Sequence, residues 1–143
     1  MIIGILQTDT VKSEFSHQFG EYPAMFESLL KQISPQLEFR VYDVQHGTYP
    51  NDIHECDAYI STGSKASVYD TDAWIGVFQD FIVHLDEQNI KHVAICFGHQ
   101  LVAQAFGGKT EKSNNGWGVG VHSYTTHGQK DWCCLHCQHT VCW

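Results

Sequence analysis

The stretch that decides the fold is residues 92–108, HVAICFGHQLVAQAFGG. An apolar run from His92 ends at Cys96. Phe97-Gly98-His99-Gln100 follows, then a helix-like run, Leu101 to Phe106, closed by Gly107-Gly108. This reads as strand, sharp turn and helix, with a cysteine at the corner. It is the cysteine form of a nucleophile elbow. Gly98 is expected to permit the tight backbone, where a Cβ would clash. A helix N-terminus behind the sulfur favours thiolate, the reactive form. A single cysteine on its own is more often an inert core residue; the strand-Cys-x-Gly-x-Gln-helix context is what points to chemistry.

Working outward, the chain before this stretch alternates strands and helices. Residues 2–7, IIGILQ, read as a buried strand. Residues 8–22 are polar, with Gly20 as a breaker, and read as a loop. Pro23 stands where a helix can begin, and Met25, Phe26, Leu29, Leu30 and Ile33 recur at helical spacing over 23–34. Pro35 ends that helix. Residues 38–44 read as a second strand, Gly47 and Pro50 as a loop, and 51–56 as a turn of helix. Residues 57–62 are a third strand running into Gly63-Ser64-Lys65-Ala66-Ser67. Residues 72–88 form a second amphipathic helix with Asp70 or Asp72 as its cap. Residues 92–96 are the fourth strand and 99–106 the elbow helix. Residues 109–112 and 117–125 read as extended.

This order predicts βαβ units: an α/β, doubly wound parallel sheet with helices on both faces. Ligands of such sheets bind beyond the carboxyl ends of the strands. Thr62–Ser67 and Cys96–Gln100 both follow strands, so both are expected on one edge.

Composition sets outer limits. A length of 143 residues is that of one domain, and 43% hydrophobic residues suffice for a core. The net charge of −8 disfavours nucleic acid and anionic membrane as partners. No apolar run approaches the ~20 residues of a membrane span. Met1 opens directly into the first strand, without the basic start of a signal peptide, so the cytoplasm is the expected compartment. Six cysteines are present, but Cys133, Cys134, Cys137 and Cys142 crowd the last eleven residues. A disulfide framework would be spread along the chain.

The elbow resembles the nucleophile motif of class I glutamine amidotransferases: an apolar strand, Cys-x-Gly-x-Gln, and a helix ending in Gly-Gly. Cys96, Gly98, Gln100, Gly107 and Gly108 meet every fixed position. The resemblance is nearest to stand-alone members similar to the amidotransferase domain of GMP synthase. It covers about residues 1–127. It implies the flavodoxin-like, Rossmann-like amidotransferase fold, incomplete here at the C-terminus. It also implies glutamine amide hydrolysis through a cysteine thioester, without cofactor or metal. The substrate would be glutamine or a γ-glutamyl compound, and an ammonia-accepting synthetase partner is left unnamed.

By the same resemblance Cys96 is the nucleophile. The N–H of Phe97 and, from the loop after strand three, the N–H of Ser64 form the oxyanion hole. Gly63 and Gln100 lie beside the substrate. The loop departs from the commoner Gly-Gly-Pro pattern, with Ser64 for the second glycine and Lys65 for proline. Gly116-Trp117-Gly118 resembles a pocket wall, although a Trp between glycines is equally a packing plug. The family's general base belongs to a His-Pro-Glu-like motif well downstream, and no His-x-Glu follows Cys96 in these residues. His99 matches a variable position. His122 and His127 have no carboxylate at the expected spacing to orient them.

From Asp131 the sequence changes character: DWCCLHCQHTVCW. The domain is therefore expected over 1–130, with 131–143 a separate, atypical tail. A shifted reading frame would give this abrupt change. A metal site is the rival, but the ligand spacing is poor. Under the first reading the product lacks its histidine and glutamate and is inactive. Two other readings stand beside the amidotransferase: a non-catalytic binding remnant, and a cysteine hydrolase of the broader elbow type. The acid that the last carries near the end of strand one has no counterpart, since Gln7 and Thr8 stand there with Asp9 one step beyond.

Overall fold

A computed structural model describes residues 1–114 and 116. Four strands form one parallel sheet: β1 (Ile2–Gln7), β2 (Glu38–Asp43), β3 (Ala58–Ser61) and β4 (Lys91–Ala94), in the order β2-β1-β3-β4. The helices are α1 (Ser13–Phe19), α2 (Tyr22–Ile33), α3 (Ala73–Glu87) and α4 (Phe97–Ala105).

Strand alternation divides the core into two layers. Ile3, Ile5 and Ile60 point to one face, where Phe26 and Leu30 of α2 cover them. Leu6, Tyr42 and Tyr59 point to the other, against Ile75, Phe78, Ile82 and Leu85 of α3 and Phe97 and Leu101 of α4. Gly4 makes room on that second face, since a Cβ there would overlap the Tyr59 ring. Helices thus flank the sheet on both sides, as the alternation of elements predicts.

From β1 the chain moves outward to β2, and the next strand, β3, lies on β1's other side. The β1/β3 boundary is therefore the topological switch point, the usual crevice for ligands in open α/β sheets.

Several boundaries differ from the sequence reading. Residues 8–22 are not all loop: α1 forms at Ser13–Phe19 and stops at Gly20, whose φ is 77°. It buries none of its residues, so no apolar stripe marks it beyond Phe15 and Phe19, one turn apart. Residues 51–56 form turns and bends; the short helix is instead a 3-10 turn at Val44–His46, where Asp43 accepts from the His46 N–H. Asp72 precedes α3 but makes no side-chain cap bond, and Asp70 accepts instead from the Ser67 N–H at 2.7 Å. β4 ends at Ala94 and α4 begins at Phe97, so the corner is only Ile95-Cys96. No described helix is long and apolar enough to cross a membrane.

Candidate active site

The corner is held from below. Phe97 is buried and stacks on Trp74 of α3, with ring centroids 5.2 Å apart. Gly98 lies inside α4, and the need for glycine there is a close approach: a Cβ would overlap the buried Ser61 hydroxyl of β3. The unusual backbone belongs to Cys96 itself, at φ 51° and ψ −108°. Such a conformation costs a non-glycine residue about 1–3 kcal/mol and persists only where surroundings enforce it. The enforcement comes from β4 on one side and the Phe97–Gly98 anchor on the other. The result is an exposed cysteine at the head of a helix.

α4 closes as the Gly-Gly pair requires. Gly107 has φ 83° and donates to Gln104 O, while Gly108 donates to Ala103 O at 2.7 Å. These two bonds are a Schellman cap. Gln100 lies one helical turn past Cys96, and its N–H donates to the Cys96 carbonyl. The two therefore share a helix face.

The loop after β3 meets this corner. A Cβ at Gly63 would lie 3.3 Å from Cys96 Cβ and 3.6 Å from its Sγ. The strand ends expected on one edge thus meet there, and a Cβ at Gly63 would press on the Cys96 Cβ.

A polar network at the switch point fixes this loop. Thr8 and Thr62 are fully buried. The Thr8 N–H donates to Thr62 Oγ1 at 3.0 Å. The Thr8 hydroxyl lies 3.0 Å from the Thr62 carbonyl and 2.9 Å from the Gly63 carbonyl, and Thr62 Oγ1 lies 3.3 Å from the latter. The two hydroxyls thus stand against a buried carbonyl, that of Thr62, and a half-buried one, that of Gly63, groups that are costly to leave without a donor. Beside them Asp9 is only 4% exposed. Its carboxylate accepts from the Lys65 N–H at 2.8 Å, the Thr10 N–H at 2.8 Å and Lys65 Nζ at 3.0 Å. Burial alone would raise the Asp9 pKa. The Lys65 and Thr10 amides and the Lys65 ammonium outweigh it, so the carboxyl titrates below its ordinary value.

Under the elbow, His92 Nε2 lies 3.1 Å from Ser61 Oγ, the hydroxyl against which Gly98 packs. His92 Nδ1 is sealed from solvent and has no partner among the described residues. Burial pushes the His92 pKa down to about 4, so the ring is neutral at pH 7.

Of the residues singled out by sequence, Cys96, Phe97, Gln100, Gly63 and Ser64 all lie on two adjoining strand exits, with Gly63 and Cys96 in contact. His99 is exposed on α4. Trp117, Gly118, His122, His127 and the segment Asp131–Trp143 lie outside the described residues. The sequence reading missed Thr8, Asp9, Ser61 and His92 as supports. The signal for the first two was their place just past β1, at the switch point. Among the described residues no cluster of ligating side chains could hold a metal ion.

Comparison with known proteins agrees with this architecture. A family model described as "Glutamine amidotransferase class-I" matches residues 24–139. The match runs past Asp131, where the sequence reading places the end of the domain. Gamma-glutamyl peptidase 4 of Arabidopsis thaliana is 37% identical over 111 residues, which cover 75% of this chain and 43% of the relative. A putative glutamine amidotransferase-like protein of Schizosaccharomyces pombe is 35% identical over 142 residues, covering 90% of this chain and 57% of the relative. The chain spans about half the length of these curated relatives. Among solved structures, a glutamine amidotransferase from Thermotoga maritima superposes with a TM-score of 0.55 at 18% identity, over 73% of this chain and 43% of that one. At that identity the likeness speaks for the fold. A strand–cysteine–helix corner on a doubly wound parallel sheet and a family match over most of the sequence lead to one assignment: the chain belongs to the class-I glutamine amidotransferase family.

Proposed function

We propose that Cys96 is the nucleophile of a hydrolysis at the γ-carbonyl of glutamine or a γ-glutamyl compound. One observation carries this reading: an exposed cysteine on a strained strand-to-helix corner, with Gly63 beside it. The thiolate adds to the carbonyl carbon and the electron pair moves onto oxygen. The N–H groups of Phe97 and Ser64 are the donors for that oxygen. Neither donates to an acceptor among the described residues. Collapse of the adduct, with a proton from water going to the departing nitrogen, breaks the C–N bond, expels ammonia or an amine and leaves a thioester, which water then cleaves to the free acid and thiol. Gly63 keeps the approach to sulfur open, and Gln100 on the same helix face as Cys96 contacts the substrate.

Relatives named gamma-glutamyl peptidase favour a γ-glutamyl peptide as substrate over free glutamine. A reactive thiol needs a reducing compartment, which supports the cytoplasm.

The test is covalent labelling of the full 143-residue chain by a glutamine-like diazo ketone, mapped by peptide mass spectrometry. Label confined to Cys96 and competed by a γ-glutamyl peptide is the expected result. Label spread over Cys133, Cys134, Cys137 and Cys142 would remove the basis for a formed pocket.

A further inference from the structure

Ser64 carries the less secure of the two donors, because it sits in a loop and not at a helix head. Its orientation depends on the peptide units around it. The Gly63 carbonyl and the Ser64 N–H belong to one planar trans unit and point in opposite directions. The Thr8 hydroxyl, 2.9 Å from that carbonyl, pulls it toward the β1 side and so turns the Ser64 N–H away from β1. This fixes one end of the residue. The next unit is free to rotate unless something also holds the Lys65 N–H. Asp9 Oδ2 does, at 2.8 Å.

We infer that Asp9 is a positioning residue for the Ser64 oxyanion donor, gripping the Lys65 main chain from the far side of the loop. The inference rests on the functional reading above. Asp9 touches neither sulfur nor substrate; it acts through the loop. Three features separate this role from a surface ion pair. The carboxylate is 4% exposed, while the Lys65 side chain is 78% exposed. Two of its three donors are main-chain amides, from Lys65 and Thr10. And the bond requires an N–H at position 65, which lysine has and a proline would lack. The ammonium of Lys65, at 3.0 Å from Oδ1, neutralises the buried charge. Thr8 and Asp9 are consecutive residues of one strand exit, so β1 holds the loop by both peptide units that flank Ser64.

Two alkylating probes separate geometry at the oxyanion from access to sulfur. A γ-glutamyl chloromethyl ketone reacts through a tetrahedral adduct whose carbonyl oxygen becomes negative, after which sulfur displaces chloride. Iodoacetamide loses iodide by direct displacement and forms no oxyanion. The ratio of the two Cys96 labelling rates is measured in the 143-residue chain, in Asp9→Ala and in the isosteric Asp9→Asn. Asp9→Ala is expected to lower the ratio about tenfold or more, the scale of one misplaced oxyanion donor, with the iodoacetamide rate nearly unchanged. Asp9→Asn retains one acceptor oxygen and should fall between; it carries the test if Asp9→Ala does not fold. A role confined to stability would move the melting temperature and leave the ratio alone. Ratios within about twofold of the parent in a folded variant overturn the inference, since one donor is worth far more. If the parent itself does not prefer the γ-glutamyl ketone to chloroacetone, the functional reading fails, and this inference with it.

Discussion

Two strand exits meet at Cys96, and they are built by different physics. The exit of β4 is shaped by packing. Phe97 drives into the core against Trp74, Gly98 rests on Ser61, and the backbone at Cys96 takes up the strain between them. The exit of β3 is shaped by hydrogen bonds. Thr8 and Asp9 reach across from β1 and take hold of Gly63 and Lys65. The first kind of corner fails on changes of volume and on the burial of an unpaired polar group. The second tolerates changes at exposed side chains and fails when an acceptor or donor is removed. A site made of one of each places a sulfur fixed by packing beside a donor fixed by hydrogen bonds.

The sharpest way to break the packed corner is Phe97→Ala. It removes a buried ring and its aromatic neighbour, and a loss of about 3–5 kcal/mol is expected. Urea unfolding gives the value; a loss under about 1 kcal/mol would mean the corner does not depend on this anchor.

The second prediction concerns His92, beneath the same corner. Its folded pKa of about 4 lies below the ordinary value of 6.5, so between these the unfolded chain binds more protons. Its stabilising contribution is full above pH 6.5 and is lost as pH falls toward 4. A shift of that size corresponds to up to about 3 kcal/mol. Unfolding free energies at pH 7 and pH 5, for the parent and His92→Gln, give the measurement. The variant should show a flatter pH dependence, and an unchanged slope would clear His92 of the effect.

The third prediction addresses the hydrogen-bonded exit. Thr8→Val keeps the shape and removes the hydroxyl near the Thr62 and Gly63 carbonyls. A loss of about 1–3 kcal/mol follows from leaving a buried acceptor short of a donor. Hydrogen exchange should show the change concentrated in residues 62–66, with α4 protected as before. Uniform loss of protection across both exits would erase the distinction between them.

The packed corner was largely legible in the sequence, and the hydrogen-bonded one was not. An apolar strand, a cysteine and a Gly-Gly-closed helix are local features, each with its own periodicity or cap. They placed β4 and α4 to within about two residues, the usual uncertainty of element ends. The reason for Gly98 was not local: it answers to Ser61 on another strand, which no spacing in the sequence reveals. The Thr8–Thr62 and Asp9–Lys65 pairs join residues 54 and 56 positions apart. Pairing at such separations comes from strand register, so Thr8 and Asp9 read merely as the start of a polar loop. α1 went unread because it buries nothing and so carries no apolar stripe.

The central claim is that Cys96 accepts a γ-glutamyl group. Intact-protein mass spectrometry, after brief incubation with an activated γ-glutamyl thioester and acid quench, tests it most directly. The account predicts one glutamyl group per chain, mapped to Cys96 and absent from Cys96→Ala. No adduct, or glutamyl groups on the cysteines after residue 131 with Cys96 unmodified, would contradict it.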